Sequence, residues 1–230
     1  MEEDIVEERP GQPTDGADRT THPRRAPTPE ERQRDAERSR QQLLAAALDE
    51  FAAKGYAGAR VQDIADRAGV NKQLINYYFG GKEGLYRALQ HGWLEREATF
   101  AHPDLALDEL AARYLHDALA DPRLTRLLLW RGLADSTEQP PDDSPESEDL
   151  AGLRRRQAGG ELAPDLDPGA VRLALMGAIA VPVAMPQMVW KIFGLDPRSP
   201  AFEDLYGEQL RRIVRHLAEV MQEEDKPGRR

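Results

Sequence analysis

Apolar residues recur along this chain at helical spacing. Leu44, Leu48 and Phe51, with Leu43 and Ala47 beside them, form one stripe at a 3.6-residue period. No alternating apolar–polar run of useful length occurs, so an all-α chain is expected. The pattern predicts helices over 29–54, 61–68, 72–79, 82–100, 107–120, 122–135, 148–158, 168–193 and 200–222. Start signals support several of them. Thr28 precedes Pro29 and stands three residues before Glu31, a capping box with proline in the first turn. Asp167 before Pro168 and Ser199 before Pro200 are likewise N-caps followed by proline in the first turn. Gly55 is placed as the C-cap of the first helix.

One helix departs from the amphipathic rule. Leu173 to Trp190 is an uncharged run of about 18 residues, near the lower limit of a membrane span. It is rich in alanine, contains Gln187, Pro182 and Pro186, and lacks a one-sided basic flank. A helix buried on all sides is the better reading, with the two prolines breaking it. No membrane partner is expected.

Residues 1–28 are polar and proline-rich and predict a disordered tail. "HPRR" within it offers a minor-groove arm as an alternative to a plain flexible segment. "STEQPPDDSPES" reads as an acidic loop. The domains expected are 29–90, a DNA-binding unit, and 91–222, a larger helical body, followed by a flexible tail at 223–230.

The stretch "DIADRAGVNKQLINYYF" carries the functional signal. As one long helix it would hold Gly69 in its middle at a cost of about 1 kcal/mol. As two helices turning at Gly69, every residue has a place. Ala65 is small enough for a close crossing, Gly69 suits a positive φ, Val70 fills the corner and Asn71 caps the next helix. Ile64, Ala65, Ala68, Ile75, Tyr78 and Phe79 then face inward. Around the second helix Gln73, Asn76 and Tyr77 fall together, with Lys72 and Leu74 at the margins and Tyr78 on the boundary. Gln and Asn match the adenine edge in the major groove, while Lys and Tyr suit phosphates.

Residues 40–89 resemble the N-terminal domain of TetR-family transcription regulators. "FAAKGY", "VQDIADRAGV", "NKQLINYYF" and "GKEGLY" fall in that family's order and spacing. Further on, "GELAPDLDP" is similar to the family's lead-in to its last two helices. The resemblance implies a helix-turn-helix domain, a homodimer on a palindromic double-stranded DNA operator, and a small-molecule effector in the larger domain. It places Lys72, Gln73, Asn76, Tyr77 and Tyr78 at DNA-contact positions and Lys82 at a phosphate-binding one. Three positions depart from the family pattern. Ala59-Arg60 stands where Thr or Ser usually caps the helix, so Arg60 is the substitute phosphate contact. Asn76 replaces a frequent tyrosine, and Gly81 replaces a frequent serine cap.

Charge changes the picture modestly. The net charge of −10 excludes a generally basic nucleic-acid coat. It is uneven, since residues 38–97 alone carry more basic than acidic side chains. Zero cysteines excludes disulfides, thiolate metal sites and cysteine nucleophiles. The acidic start lacks an apolar signal segment, which with the missing cysteines fits a cytoplasmic protein. The five histidines show no metal-ligand spacing, and "FGGKEG" lacks the P-loop spacing. No cofactor, metal or catalytic residue is therefore assigned, and an enzyme is the disfavoured alternative. A helical protein acting through a protein partner is the other, and the basic bias of 38–97 counts against it.

Two further assignments concern the body. On the last helix Leu210, Ile213, Val214, Leu217 and Met221 form a stripe, with Arg211, Arg212 and Arg215 on the other side. Helices 168–193 and 200–222 are expected to form a four-helix dimer interface. A ligand cavity is expected among 82–100, 107–120, 122–135 and 168–193. Its candidate lining is Trp93, Tyr114, Leu128, Arg131, Met176, Met185, Met188 and Trp190. Arg131 in an apolar run would, if buried, need an anionic partner, so the ligand expected is largely apolar with a carboxylate or other acceptor.

Overall fold

The computed structural model describes residues 28–102, 104–134 and 148–219. The greater part of both predicted tails, the acidic loop and Met221 lie outside the described residues. Ten helices and no strand are found among them. They are α1 (Pro29–Gly58), α2 (Val61–Ala68), α3 (Gln73–Phe79), α4 (Lys82–Phe100), α5 (Leu107–Ala120), α6 (Pro122–Ala134), α7 (Glu148–Ala158), α8 (Pro168–Ala184), α9 (Pro186–Phe193) and α10 (Pro200–Glu219).

The predicted caps account for the starts. Thr28 Oγ1 accepts from the Glu31 N–H, and a Glu31 carboxylate oxygen accepts from the Thr28 N–H at 2.7 Å. Asp167 Oδ1 accepts from the Ala170 N–H at 2.8 Å, and Ser199 Oγ accepts from the Phe202 N–H. The regular part of α1 ends at Gly55 as expected, with φ 69° there. The chain kinks there and continues helically for one more short turn to Gly58, and Trp130 of α6 packs against the kink.

Two apolar clusters organise the molecule. The first joins α1–α4 through Leu43, Ala47, Phe51, Ile64, Ala65, Ile75, Leu85 and Leu89. It is not closed by those helices alone. Leu127 of α6 is buried in it and Leu124 packs against it. The Trp130 indole N–H also donates to the Ala52 carbonyl. The second cluster joins α5, α7, α8 and α10 around Leu107, Leu115, Leu153, Leu162, Val171, Leu210 and Val214.

The long apolar segment is corrected in two respects. It forms α8 and α9, bent by 91° at Met185–Pro186. Pro186 lacks the N–H that would continue α8 and instead opens α9, whereas Pro182 stays inside α8. Nor is the segment buried all round. Val171, Pro182 and Val183 face the core, whereas Leu173 on the opposite face is 72% exposed and Met176 is also exposed. Among the described residues no single helix is long and apolar enough to cross a membrane.

The stripe assigned on α10 is also corrected. Leu210 and Val214 are buried in the subunit's own core and Leu217 packs against it, leaving Ile213 outside, 56% exposed. The arginines explain why. Arg211 pairs with Glu109 and Arg215 with Asp108, both on α5, so α10 is drawn onto α5 of the same chain.

Candidate nucleic-acid interface

The turn between α2 and α3 is built as the residue types require. Gly69 has φ 66° and ψ 29°, a left-handed conformation that costs a Cβ-bearing residue more than glycine. Its N–H and that of Val70 close α2 on the Asp66 and Ala65 carbonyls. Ile64 and Ala65 on one side and Ile75 on the other are fully buried, so the two helices meet over small and branched side chains. Asn71 caps as expected, its Oδ1 accepting from the Gln73 N–H at 2.8 Å. This is a helix-turn-helix.

Burial of Ile75 fixes which face of α3 points outward. Lys72, Gln73, Asn76 and Tyr77 are exposed, and Tyr77 is 79% exposed. Leu74 and Tyr78 are divided, since both pack against the first cluster while keeping part of their surface outside. The Tyr77 and Tyr78 rings meet edge to face at 5.0 Å, which stiffens the outward tyrosine. Arg60 is exposed just before α2 and makes no capping bond, as expected where Thr or Ser is absent.

Lys82 lies half-buried at the start of α4. Its ammonium sits 4.6 Å from the centre of the Tyr56 ring and 3.5 Å from the Ala57 carbonyl oxygen. Burial holds its pKa below the ordinary value. Among the described residues no carboxylate pairs with it, so its charge remains available to an anion. Gly84, two residues on, permits this placement. A Cβ there would stand 1.6 Å from the Phe79 carbonyl oxygen, so α4 can approach the end of α3 only with glycine at 84.

Sequence reading missed three contributors. Gly84 sits in the quoted "GKEG", but sequence spacing does not reveal a close approach between helices. Arg40 of α1 stacks over Phe79 at 5.5 Å, a contact 39 residues apart along the chain. The third is a charged network beneath the site. Glu50, only 2% exposed, pairs with Lys54 and with Arg67 at 3.6 Å. Lys54 also donates to Asp63 at 3.0 Å, and these two partners raise its pKa while it lowers that of Asp63. Asp49 lies 3.8 Å from Arg67 and 2.7 Å from Arg123 of α6. One carboxylate of α1 thus faces both the helix-turn-helix and the body.

The cavity residues assigned from sequence are not gathered around one space. Trp93 and Met188 are half-buried, while Leu128, Arg131, Met176, Met185 and Trp190 are exposed. Tyr114 is half-buried and donates to Glu97 at 2.5 Å. Arg131 is not a buried cation, because the face of α6 that enters the first cluster is the one carrying Leu124 and Leu127. Of the eight, Trp190 alone lines a cleft of about 280 Å³, shared with Leu119, Pro122, Arg126, Pro182, Val183, Pro186 and the Asp196-Pro197-Arg198 turn.

Comparison with known proteins agrees with this geometry. The family model for bacterial regulatory proteins of the tetR family matches residues 43–89. A tetracyclin repressor-like C-terminal domain model matches 106–219. The HTH-type transcriptional repressor SCO4008 of Streptomyces coelicolor is 32% identical over 188 residues, 79% of this chain and 97% of its own length. This chain belongs to the TetR family. The HTH-type transcriptional regulator RutR of Escherichia coli is 35% identical over 99 residues, 40% of this chain and 47% of that protein. The solved structure of SCO4942 from Streptomyces coelicolor superposes with a TM-score of 0.60 at 30% identity, covering 77% of this TetR-family chain and 97% of its own. The protein is thus a TetR-family transcriptional regulator, a group whose members bind DNA.

Proposed function

We propose that this regulator is a homodimeric repressor that binds a palindromic operator and leaves it when a small molecule binds the body. The observation that carries the reading is the outward face of α3. Two amides and a largely exposed tyrosine project from a helix whose other face is fully buried at Ile75, with Lys72 exposed just before it. In this reading Gln73 and Asn76 read base edges, Lys72, Tyr77 and Arg60 hold the backbone, and Leu74 and Tyr78 border the contact. Lys82 binds a phosphate at the first turn of α4, where free N–H groups also favour an anion. A second copy supplies the symmetry-related α3, and the exposed apolar residues of α8 and α10 supply the surface that joins the copies. Such a protein works in the cytoplasm, beside the chromosome.

Selection of bound fragments from a random DNA pool tests the reading. The expected product is an inverted repeat with half-sites about one helical turn apart or somewhat more. Failure to enrich any sequence would reject the operator, and enrichment of a single unrepeated site would reject the dimeric mode.

A further inference from the structure

The cleft containing Trp190 lies where three proline-marked corners meet. The α5–α6 corner contributes Leu119, Pro122 and Arg126. The α8–α9 bend contributes Pro182, Val183, Pro186 and Trp190, and the turn before α10 contributes Asp196, Pro197 and Arg198. Proline restricts the backbone at each corner and supplies no N–H, so these walls are stiff and apolar. Pro182, Val183 and Pro197 are buried behind the cleft, whereas the Trp190 indole is 53% exposed and forms an open wall.

The charges at its rim are unbalanced. Two arginines and one aspartate line it. Asp196 is occupied by its own turn, its Oδ1 accepting from the Arg198 N–H at 2.9 Å and lying 3.7 Å from the Arg198 Nε. Arg126 has no carboxylate partner among the described residues. In a chain of net charge −10, an apolar cleft that presents an unneutralised guanidinium is suited to an anion. Its volume is slightly below the range of about 300–1,000 Å³ that small-molecule sites occupy. The occupant is therefore compact, one or two rings and not a long chain.

We propose that this cleft binds a small aromatic carboxylate, its ring against Trp190 and its carboxylate held by Arg126 with help from Arg198. The position of Arg126 gives such a ligand a route to the DNA site. Arg126 is one turn beyond Arg123, whose guanidinium is held by Asp121 and by Asp49 of α1. It is next to Leu127, which is buried in the core of the DNA-binding unit. A ligand that draws Arg126 toward Trp190 therefore acts on the helix that completes that core. It shifts operator affinity by as much as it prefers one placement of α6. This coupling rests on the reading of the chain as a ligand-controlled regulator, while the binding step does not.

Calorimetric titration of the full chain with benzoate, 1-naphthoate and indole-3-acetate tests the binding step. At least one is expected to bind saturably. That acid should bind roughly tenfold more weakly to Arg126→Gln, the loss of one charge-assisted contact. Trp190→Ala should weaken it as well, and the corresponding neutral amide should bind as weakly to the wild type. Both substituted residues are exposed, so unchanged circular dichroism is expected and confirms an intact fold. If none of the three acids binds at millimolar concentration, if amide and acid bind alike, or if Arg126→Gln binds normally, the site is overturned. The acid that binds is then added to the protein on its selected operator. Release of DNA by wild type but not by Arg126→Gln supports the coupling. Binding without any change in DNA affinity overturns the coupling and leaves the site. Absence of any selected operator would reject the regulator reading, while the calorimetry would still decide the cleft.

Discussion

In the proposed operator complex, individual side chains on α3 and α4 divide the work of DNA binding, and the division is testable one residue at a time. Gln73 carries no charge, so Gln73→Ala should lose about 1–3 kcal/mol at one base position and relax preference there. Lys82 has a charge without a carboxylate partner among the described residues. Lys82→Ala should therefore weaken all sequences alike and lower the slope of log affinity against log salt by about one. Mobility shifts over a salt series and a panel of point-substituted operators would separate the two. A changed sequence preference in Lys82→Ala, with no effect of Gln73→Ala, would reverse the assigned roles. The outward face of α3 was legible because a seven-residue helix with Ile75 inside leaves only one side for Gln73, Asn76 and Tyr77. The seat of Lys82 was not, because it depends on Tyr56, 26 positions earlier, coming to lie under the ammonium.

At the scale of the helices, caps and breakers carried most of the information. Thr28, Asn71, Asp167 and Ser199 each accept the backbone bond their position predicts, and Pro186 ends α8 because its nitrogen has no hydrogen to give. Approach between helices was not readable in the same way. Gly84 looks like any first-turn residue until α4 is set against Phe79. Gly84→Ala would push a methyl group into the Phe79 carbonyl, forcing α3 and α4 apart. A loss of about 1–3 kcal/mol is expected, with weaker operator binding than stability alone explains. Chemical denaturation and mobility shifts on the same sample check this, and a variant as stable as wild type would show that the contact is soft. The α5–α6 corner gives a pH prediction. Hydrogen bonds from Arg123 hold the Asp121 carboxyl below its ordinary value of 3.8. A group with a depressed folded pKa stabilises fully above its unfolded pKa, and the contribution fades as pH falls through the folded one. Thermal midpoints of wild type should therefore fall below about pH 4, and those of Asp121→Asn should fall less steeply over the same range. Parallel curves for the two proteins would show that the pair contributes nothing.

For the whole molecule, the proposed dimer raises the question of which apolar surface belongs to the subunit and which to a second copy. Periodicity identified α8 and α10 as apolar but could not divide their faces, because core and interface want the same residue types. Burial within the single chain separates their inward residues from their outward ones. Val171, Leu210 and Val214 are buried within one chain, while Leu173 and Ile213 stand out from the same two helices. An isolated exposed leucine is ordinary, but two helices that each expose large apolar residues are the surface that the proposed dimer would cover. Substituting the two groups should have opposite consequences. Leu210→Glu places a charge in the subunit's own core and should unfold it, seen as loss of the cooperative thermal transition. Leu173→Glu combined with Ile213→Glu should leave the helical signal intact and produce monomers by light scattering at micromolar concentration. Operator affinity should fall as well, because two linked recognition helices become two separate binding events. A wild-type monomer at that concentration, or an undisturbed dimer in the double variant, would move the interface elsewhere. If both variants merely unfolded, the faces assigned here to partner and core would be one and the same.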